Sequence, residues 1–444
     1  MSNTDAAEAK TIDIPLDILY RIAEIVAQPT GYLHAARRDL KTCCLVNRLF
    51  AEVFRPHVFH WTVIPNSTGS GHPLKQLDIL TSSPHIGVYL KRLTLMMHDG
   101  GDEVVLCAIF DGGFLTSLKS LTILGNHWTS RRIPWSSLSE PFTSSIQRFC
   151  SDSQTLRTLN LLRLDGIPAS VFAQPALTSI CLAASRPIFN FPDPHIAPSR
   201  LPLSLNICGV DLSGFQLEDV VKRGRGFFSR VHSLKATTSW RPEPNAAFDK
   251  FLSLVAPLSH LESLDVSIFV HPSPTFKGPY PANWIKSLPR VRGLKRLTLS
   301  SSSGPEADFI SSLPSVIKTM DTSHMEHLSI GILGLKRADL PSICVSCMDW
   351  GALDEMLAEK VEQGKLEGLK EVWITIQLGV GESDTELEEP RRLVREAVFL
   401  PSLSVGKLVV SFKASAGELL YDSRDHPYER ETRLEHRALR QPVK

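Results

Sequence analysis

LKSLTIL, residues 118–124, spaces Leu118, Leu121 and Ile123 by three residues and then by two. In an extended chain Leu121 and Ile123 point to one side, while Ser120, Thr122 and Leu124 point to the other. The same frame returns in LKRLTLM from Leu90, LRTLNLL from Leu156, LTSICLA from Leu177 and VHSLKAT from Val231. It continues in LESLDVS from Leu261, LKRLTLS from Leu294, MEHLSIG from Met325 and LKEVWIT from Leu369, with looser copies at 203–209 and 403–412. Stacked side by side, such strands join their first set of side chains into a continuous core and leave the second set to line a surface.

Between these strands lie stretches with helical periodicity: DEVVLCAIFDGGFL, EDVVKRGRGFFSR, NAAFDKFLSLVAPL, ADFISSLPSVIKTM and LDEMLAEKVEQGKL. The L-x-x-L-x-L frame resembles the strand half of a leucine-rich repeat. The resemblance implies an α/β fold: an irregular solenoid with parallel strands on one face and helices and loops on the other. The spacing is uneven, and only Asn126 stands where a regular repeat carries its ladder asparagine.

The N-terminal segment reads differently. In TIDIPLDILYRIAEIV (11–26), Pro15 suits the first turn of a helix, where its missing N–H is no loss. Asp17 favours the positive end of the helix dipole. Ile18, Leu19, Ile22, Ile25 and Val26 recur at steps of three and four, so one face is apolar. After the polar loop 27–38, Asp39 is placed to cap a second helix whose apolar side is Leu40, Cys43, Cys44, Val46, Leu49 and Phe50. Pro56 is expected to end it, with a short helical piece and a strand over 57–65, and NSTGSGHP marks a boundary after residue 65.

Taken in order, IPLDILYRI (14–22), DLKTCCLVNRLF (39–50) and RPHVF (55–59) resemble an F-box, of the kind found in the fungal set that carries degenerate leucine-rich repeats. Ile14, Pro15, Asp17, Ile18, Leu19 and Ile22 match the family's first helix, and Leu40, Val46 and Phe50 its second. Ile14 and Asp17 are conservative departures, Phe50 stands where the family usually has tryptophan, and the 27–38 loop is long. The resemblance implies that these nine residues bind a Skp1-type adaptor, and through it cullin and RING subunits. The chain would then be the substrate receptor of a ubiquitin ligase and not itself an enzyme. The domains expected are a disordered N-terminus at 1–10, an F-box at 11–65, a degenerate repeat region at 66–420 and a disordered charged tail at 421–444.

Composition agrees with such an interaction protein. The 444 residues, 43% hydrophobic, can bury a large core. With 48 basic against 47 acidic residues, nothing in the net charge calls for nucleic acid or an anionic membrane as the main partner. No apolar run reaches the ~18 residues of a spanning helix. The polar opening MSNTDAAEAK and the eight scattered cysteines point to reduced thiols in the cytoplasm or nucleus.

No reaction centre is spelled out. CVSC (344–347) and HMEH (324–327) have ligand spacing, but a zinc site needs four converging donors, and Cys344 and Cys347 are read as ordinary thiols. GSGHPLK (69–75) lacks the frame of a phosphate loop, and RGRGFF (223–228) reads as a loop opening a buried turn. No metal, cofactor or catalytic residue is therefore expected. A protein substrate is expected on the outward side of the C-terminal strands, at Arg296, Thr298, His327, Ser329, Glu371, Trp373 and Thr375. Met96, Leu124 and Leu162, at the same position in earlier strands, are expected to be covered. The alternative reading is a repeat scaffold without ligase coupling, its N-terminal helices capping the array.

Overall fold

The computed structural model describes residues 14–27, 33–66, 71–98, 103–125, 132–191, 201–210, 212, 215–239, 242–269, 286–302, 306–335, 350–378 and 408–414. Asn126, Cys344, Cys347, the acidic stretch 379–390 and the ends 1–10 and 421–444 lie outside them.

Every copy of the apolar frame contains a strand. Arg92–Met97 (β2), Ser120–Leu124 (β3), Thr158–Leu162 (β5), Ser179–Cys181 (β7), Leu203–Cys208 (β9) and Val231–Ser239 (β10) are followed by Ser263–Phe269 (β11), Arg296–Ser302 (β12), His327–Leu335 (β13), Glu371–Leu378 (β14) and Leu408–Ala414 (β15). With Trp61–Asn66 (β1), they form one twelve-stranded sheet among the described residues, in chain order. All its pairings are parallel. Trp61–Asn66, assigned from sequence to the N-terminal unit, is thus the first strand of the sheet.

Parallel neighbours require each connection to travel back along the sheet. His72–Ser82 (α4), Glu103–Asp111 (α5), Glu140–Asp152 (α6), Ala169–Phe172 (α7), Leu217–Arg223 (α8), Arg225–Phe228 (α9), Pro242–Val255 (α10), Glu306–Lys318 (α11) and Trp350–Glu362 (α12) lie in such connections. Leu106, Phe142, Phe251, Phe309 and Leu357 from these helices are buried in one cluster with strand residues Leu95, Ile123, Leu161, Val266 and Ile374. Burying each such side chain contributes about 1.5–3 kcal/mol. The opposite face has a smaller cluster, where Met96, Leu124, Leu162, Cys181 and Ala183 are buried together.

Sequence periodicity missed α6, although Phe142, Ile146 and Cys150 share its buried side. It also missed a small second sheet of Ile133–Pro134 (β4), Leu164–Pro168 (β6) and Arg186–Ile188 (β8). Gly125 lies where the two sheets diverge. A Cβ there would come within 2.3 Å of the Arg163 carbonyl oxygen, so a side chain is excluded.

The N-terminal helices are Leu16–Ala27 (α1), Leu33–Cys44 (α2) and Arg48–Phe59 (α3). The single helix expected from Asp39 to Phe50 is broken by a turn. Asp39 lies inside α2, and the cap is Asn47, whose side-chain oxygen accepts the Phe50 N–H at 2.9 Å. Pro56 lies inside α3, which runs to Phe59. Leu19, Ala23, Leu40, Val53, Phe54 and Val58 form a core of their own, separate from the cluster beneath the sheet.

Arg230 is a buried cation that ties loops together near the middle of the sheet. Its guanidinium donates to the carbonyls of Leu201 (3.1 Å), Gln174 (3.2 Å), Pro175 (3.1 Å) and Leu177. Burial lowers its pKa, yet an arginine stays charged. Arg230→Ala removes these four side-chain hydrogen bonds at once and should cost about 3 kcal/mol in urea unfolding. Arg230→Lys should not restore it, because an ammonium cannot span the fork.

Candidate functional site

Two surfaces bring the expected site residues into view, and they are chemically distinct. On α1, Leu19 and Ala23 face inward, while Ile18, Ile22 and Ile25 are 48%, 40% and 52% exposed, and Ile14, just ahead of the helix, is 37% exposed. Ile18, Ile22 and Ile25 recur at steps of four and three, a stripe along one helix face that Ile14 precedes. At the turn between α2 and α3, Leu45 and Val46 are 85% and 61% exposed, followed by Leu49 at 43%. Scattered surface leucines need no explanation, but a run of large aliphatic side chains does.

The nine residues expected to bind an adaptor therefore divide. Ile14, Pro15, Asp17, Ile18, Ile22 and Val46 are exposed, whereas Leu19 and Leu40 belong to the helical core. Phe50 is half-buried and stacks on Phe54, with ring centroids 5.6 Å apart. Pro15 opens α1 with its carbonyl accepting the N–H groups of Ile18 at 3.1 Å and Leu19 at 3.2 Å.

The second surface is the face of β11–β14 away from the helices. Register places Arg296, His327 and Glu371 in one row, and Thr298, Ser329 and Trp373 in the next. Thr375 follows beside Gly331 and Ser300. All seven expected residues thus share one patch. Trp373 is 39% exposed, and its Nε1 donates to Glu371 Oε2 at 2.7 Å. His327 Nδ1 lies 3.4 Å from the same oxygen. Arg296 is exposed and has no acidic partner among the described residues. At Gly331 a Cβ would fall 2.8 Å from Ser300 Cβ, so the missing side chain lets the two strands pack flat there.

Sequence reasoning did not find the ion pairs bordering this patch. Lys295 Nζ meets Glu262 Oε1 at 3.0 Å, and Lys370 Nζ meets Glu326 Oε2 at 2.6 Å. The hydrogen bond and charge of Lys370 hold the Glu326 carboxyl below its ordinary pKa. Their signal was present in sequence as a charged residue just ahead of each strand, but opposite signs become partners only once register is set.

A cavity beneath Leu80, Leu90, Leu93 and Ile109 measures about 10 Å³, space for about one water. Among the described residues no cluster of His, Cys, Asp and Glu is arranged to hold a metal ion, and no helix is long and apolar enough to cross a membrane. Comparison with known proteins names no relative: neither a protein-family model nor a curated protein matches this chain.

Two measurements test this assignment of inside and outside. Replacing Trp373 and Arg296 together by alanine should lower unfolding free energy by about 1 kcal/mol or less, since both project into solvent. Cys150 is buried in α6, and burial pushes its pKa up to about 12. Its reactive thiolate is therefore scarce at neutral pH. Iodoacetamide labelling of native protein at pH 8 should spare Cys150, and labelling after unfolding should include it.

Proposed function

We propose that this chain is the substrate receptor of a Skp1–cullin–RING ubiquitin ligase, with the N-terminal helices as an F-box and the sheet as a degenerate leucine-rich-repeat solenoid. The observation that carries the proposal is the aliphatic stripe of α1. Its helices already possess a core, so Ile14, Ile18, Ile22 and Ile25 are not needed to hold the unit together. A capping role, the alternative, would put that stripe against the sheet, where it would be buried. Exposure favours a partner instead.

In this reading the adaptor covers the stripe and the Leu45–Val46 turn, and a protein substrate lies on the β11–β14 face. No bond is made or broken by the receptor itself. It acts by holding a substrate lysine near a ubiquitin-charged enzyme, which raises the effective concentration of the reacting groups. Trp373 and Arg296 are suited to anchoring the substrate, since both residue types recur as binding hot spots.

The test separates surface from core. Ile18→Asp with Val46→Asp should abolish capture of a purified Skp1-type adaptor while leaving the circular-dichroism melt unchanged, because both side chains are already in water. Leu19→Asp should instead melt the helical unit. Adaptor binding that survives the Ile18/Val46 pair would refute the F-box assignment.

A further inference from the structure

The backbone uses one device at the entrance of many strands. The carbonyl of the residue ahead of a strand accepts two consecutive N–H groups at the start of the next strand. The His60 oxygen accepts Lys91 and Arg92 at 2.9 and 3.0 Å, Lys91 accepts Lys119 and Ser120 at 2.9 and 3.0 Å, and Lys119 accepts Arg157 and Thr158 at 2.9 and 3.0 Å. The same device runs from Glu262 to Lys295, from Lys295 to Glu326 and from Glu326 to Lys370. These residues are therefore rungs of one ladder, spaced by the ~4.8 Å between strands.

The two ends of the ladder differ in charge. Toward the C-terminus acid alternates with base, and Glu262–Lys295 and Glu326–Lys370 close as ion pairs. Toward the N-terminus the rungs are His60, Lys91, Lys119 and Arg157, with Arg92 beside Lys91. No carboxylate lies within ion-pair reach of Lys91, Arg92, Lys119 or Arg157 among the described residues. Lys91 Nζ donates to the Val88 carbonyl at 2.8 Å, and the Arg157 guanidinium to the carbonyls of Leu156 and Ala176 at 3.1 and 3.5 Å. Neutral acceptors aim these cations without cancelling them. His60 shows the resulting field: burial first, then Arg92, His57, Lys91 and Lys119, lowers its pKa.

Like charges on adjacent strands destabilise a sheet, and the C-terminal rungs avoid the problem. The N-terminal rungs carry bases alone, so counter-charge would have to come from outside. We propose that Lys91, Arg92, Lys119 and Arg157 form a docking strip for an acidic protein segment, an extended run of Asp and Glu. Three rungs cover about 10 Å, the length of about three residues of an extended peptide, so a run of consecutive acidic residues can place carboxylates along the strip. Nucleic-acid binders that make about 6–10 phosphate contacts use more cations than the four of this strip. The proposal is independent of the ligase reading, since it involves neither the α1 stripe nor the Trp373 patch.

The test uses the full chain and a fluorescein-labelled decapeptide of alternating Asp and Glu, followed by fluorescence anisotropy. Binding should weaken about tenfold or more in Lys119→Glu/Arg157→Glu, and about threefold in Lys119→Gln/Arg157→Gln. It should also weaken between 50 and 300 mM salt. Lys295→Gln, at a rung already paired, should leave it unchanged. Melting temperature should hold or rise in the Lys119→Gln/Arg157→Gln variant, because repulsion is relieved. The proposal is overturned if the Asn/Gln version of the peptide binds equally well, or if the Glu variant binds like the parent. It is overturned equally if a single-stranded ten-nucleotide DNA binds more tightly than the peptide, or if Lys295→Gln weakens binding as much as the Glu variant does.

Discussion

Leu93, Leu121, Leu159, Ile180, Leu205 and Leu234 stand shoulder to shoulder across six strands. The row continues without a break through Leu264, Leu297, Leu328 and Val372. All ten are essentially excluded from water. Everything else hangs on this row. A slip of one residue in any strand would turn its leucines outward and its hydroxyls inward, so register is fixed by the free energy of keeping the row dry. Once it is fixed, the side chains at alternate positions are aligned into the outward rows, and the residues ahead of the strands into the ladder.

That alignment turns similar strands into different surfaces along one sheet. In β2, β3 and β5 the outward positions end in Met96, Leu124 and Leu162, which bury one another. In β12 to β14 the corresponding face carries serine, threonine, histidine and Trp373; Arg296 and Trp373 are exposed on it, while Ser300 and Gly331 are buried. The ladder changes in the opposite sense, from unpaired bases at one end to closed ion pairs at the other. An apolar outward face thus accompanies a charged edge, and a polar face accompanies a neutralised one.

The N-terminal helices obey a different constraint. Three short helices cannot bury every aliphatic residue they carry. Phe54, Val53, Leu19 and Leu40 satisfy the interior, and the second aliphatic face of α1 is left over. Removing that face from water requires a partner, which is the physical basis of the adaptor proposal.

The strands were legible in the order of the amino acids alone, because L-x-x-L-x-L is a local pattern whose period of two is satisfied by an extended chain with one buried side. So were the five stretches that form α5, α8 with α9, α10, α11 and α12, whose apolar spacing lies within single segments. Whatever depended on a neighbour was settled by packing. Local spacing placed Ile18 and Leu19 alike on the apolar side of α1, but packing by α3 put Ile18 in water and Leu19 in the core. A cap at Asp39 was as plausible locally as one at Asn47, and the turn at Leu45–Val46 chose the latter. The four carbonyls around Arg230 come from residues 174, 175, 177 and 201, so no window of sequence contains that site. The charge ladder is the same case: Lys91, Lys119 and Arg157 are distant in sequence and adjacent in space, because parallel stacking carries the start of each strand to the same edge.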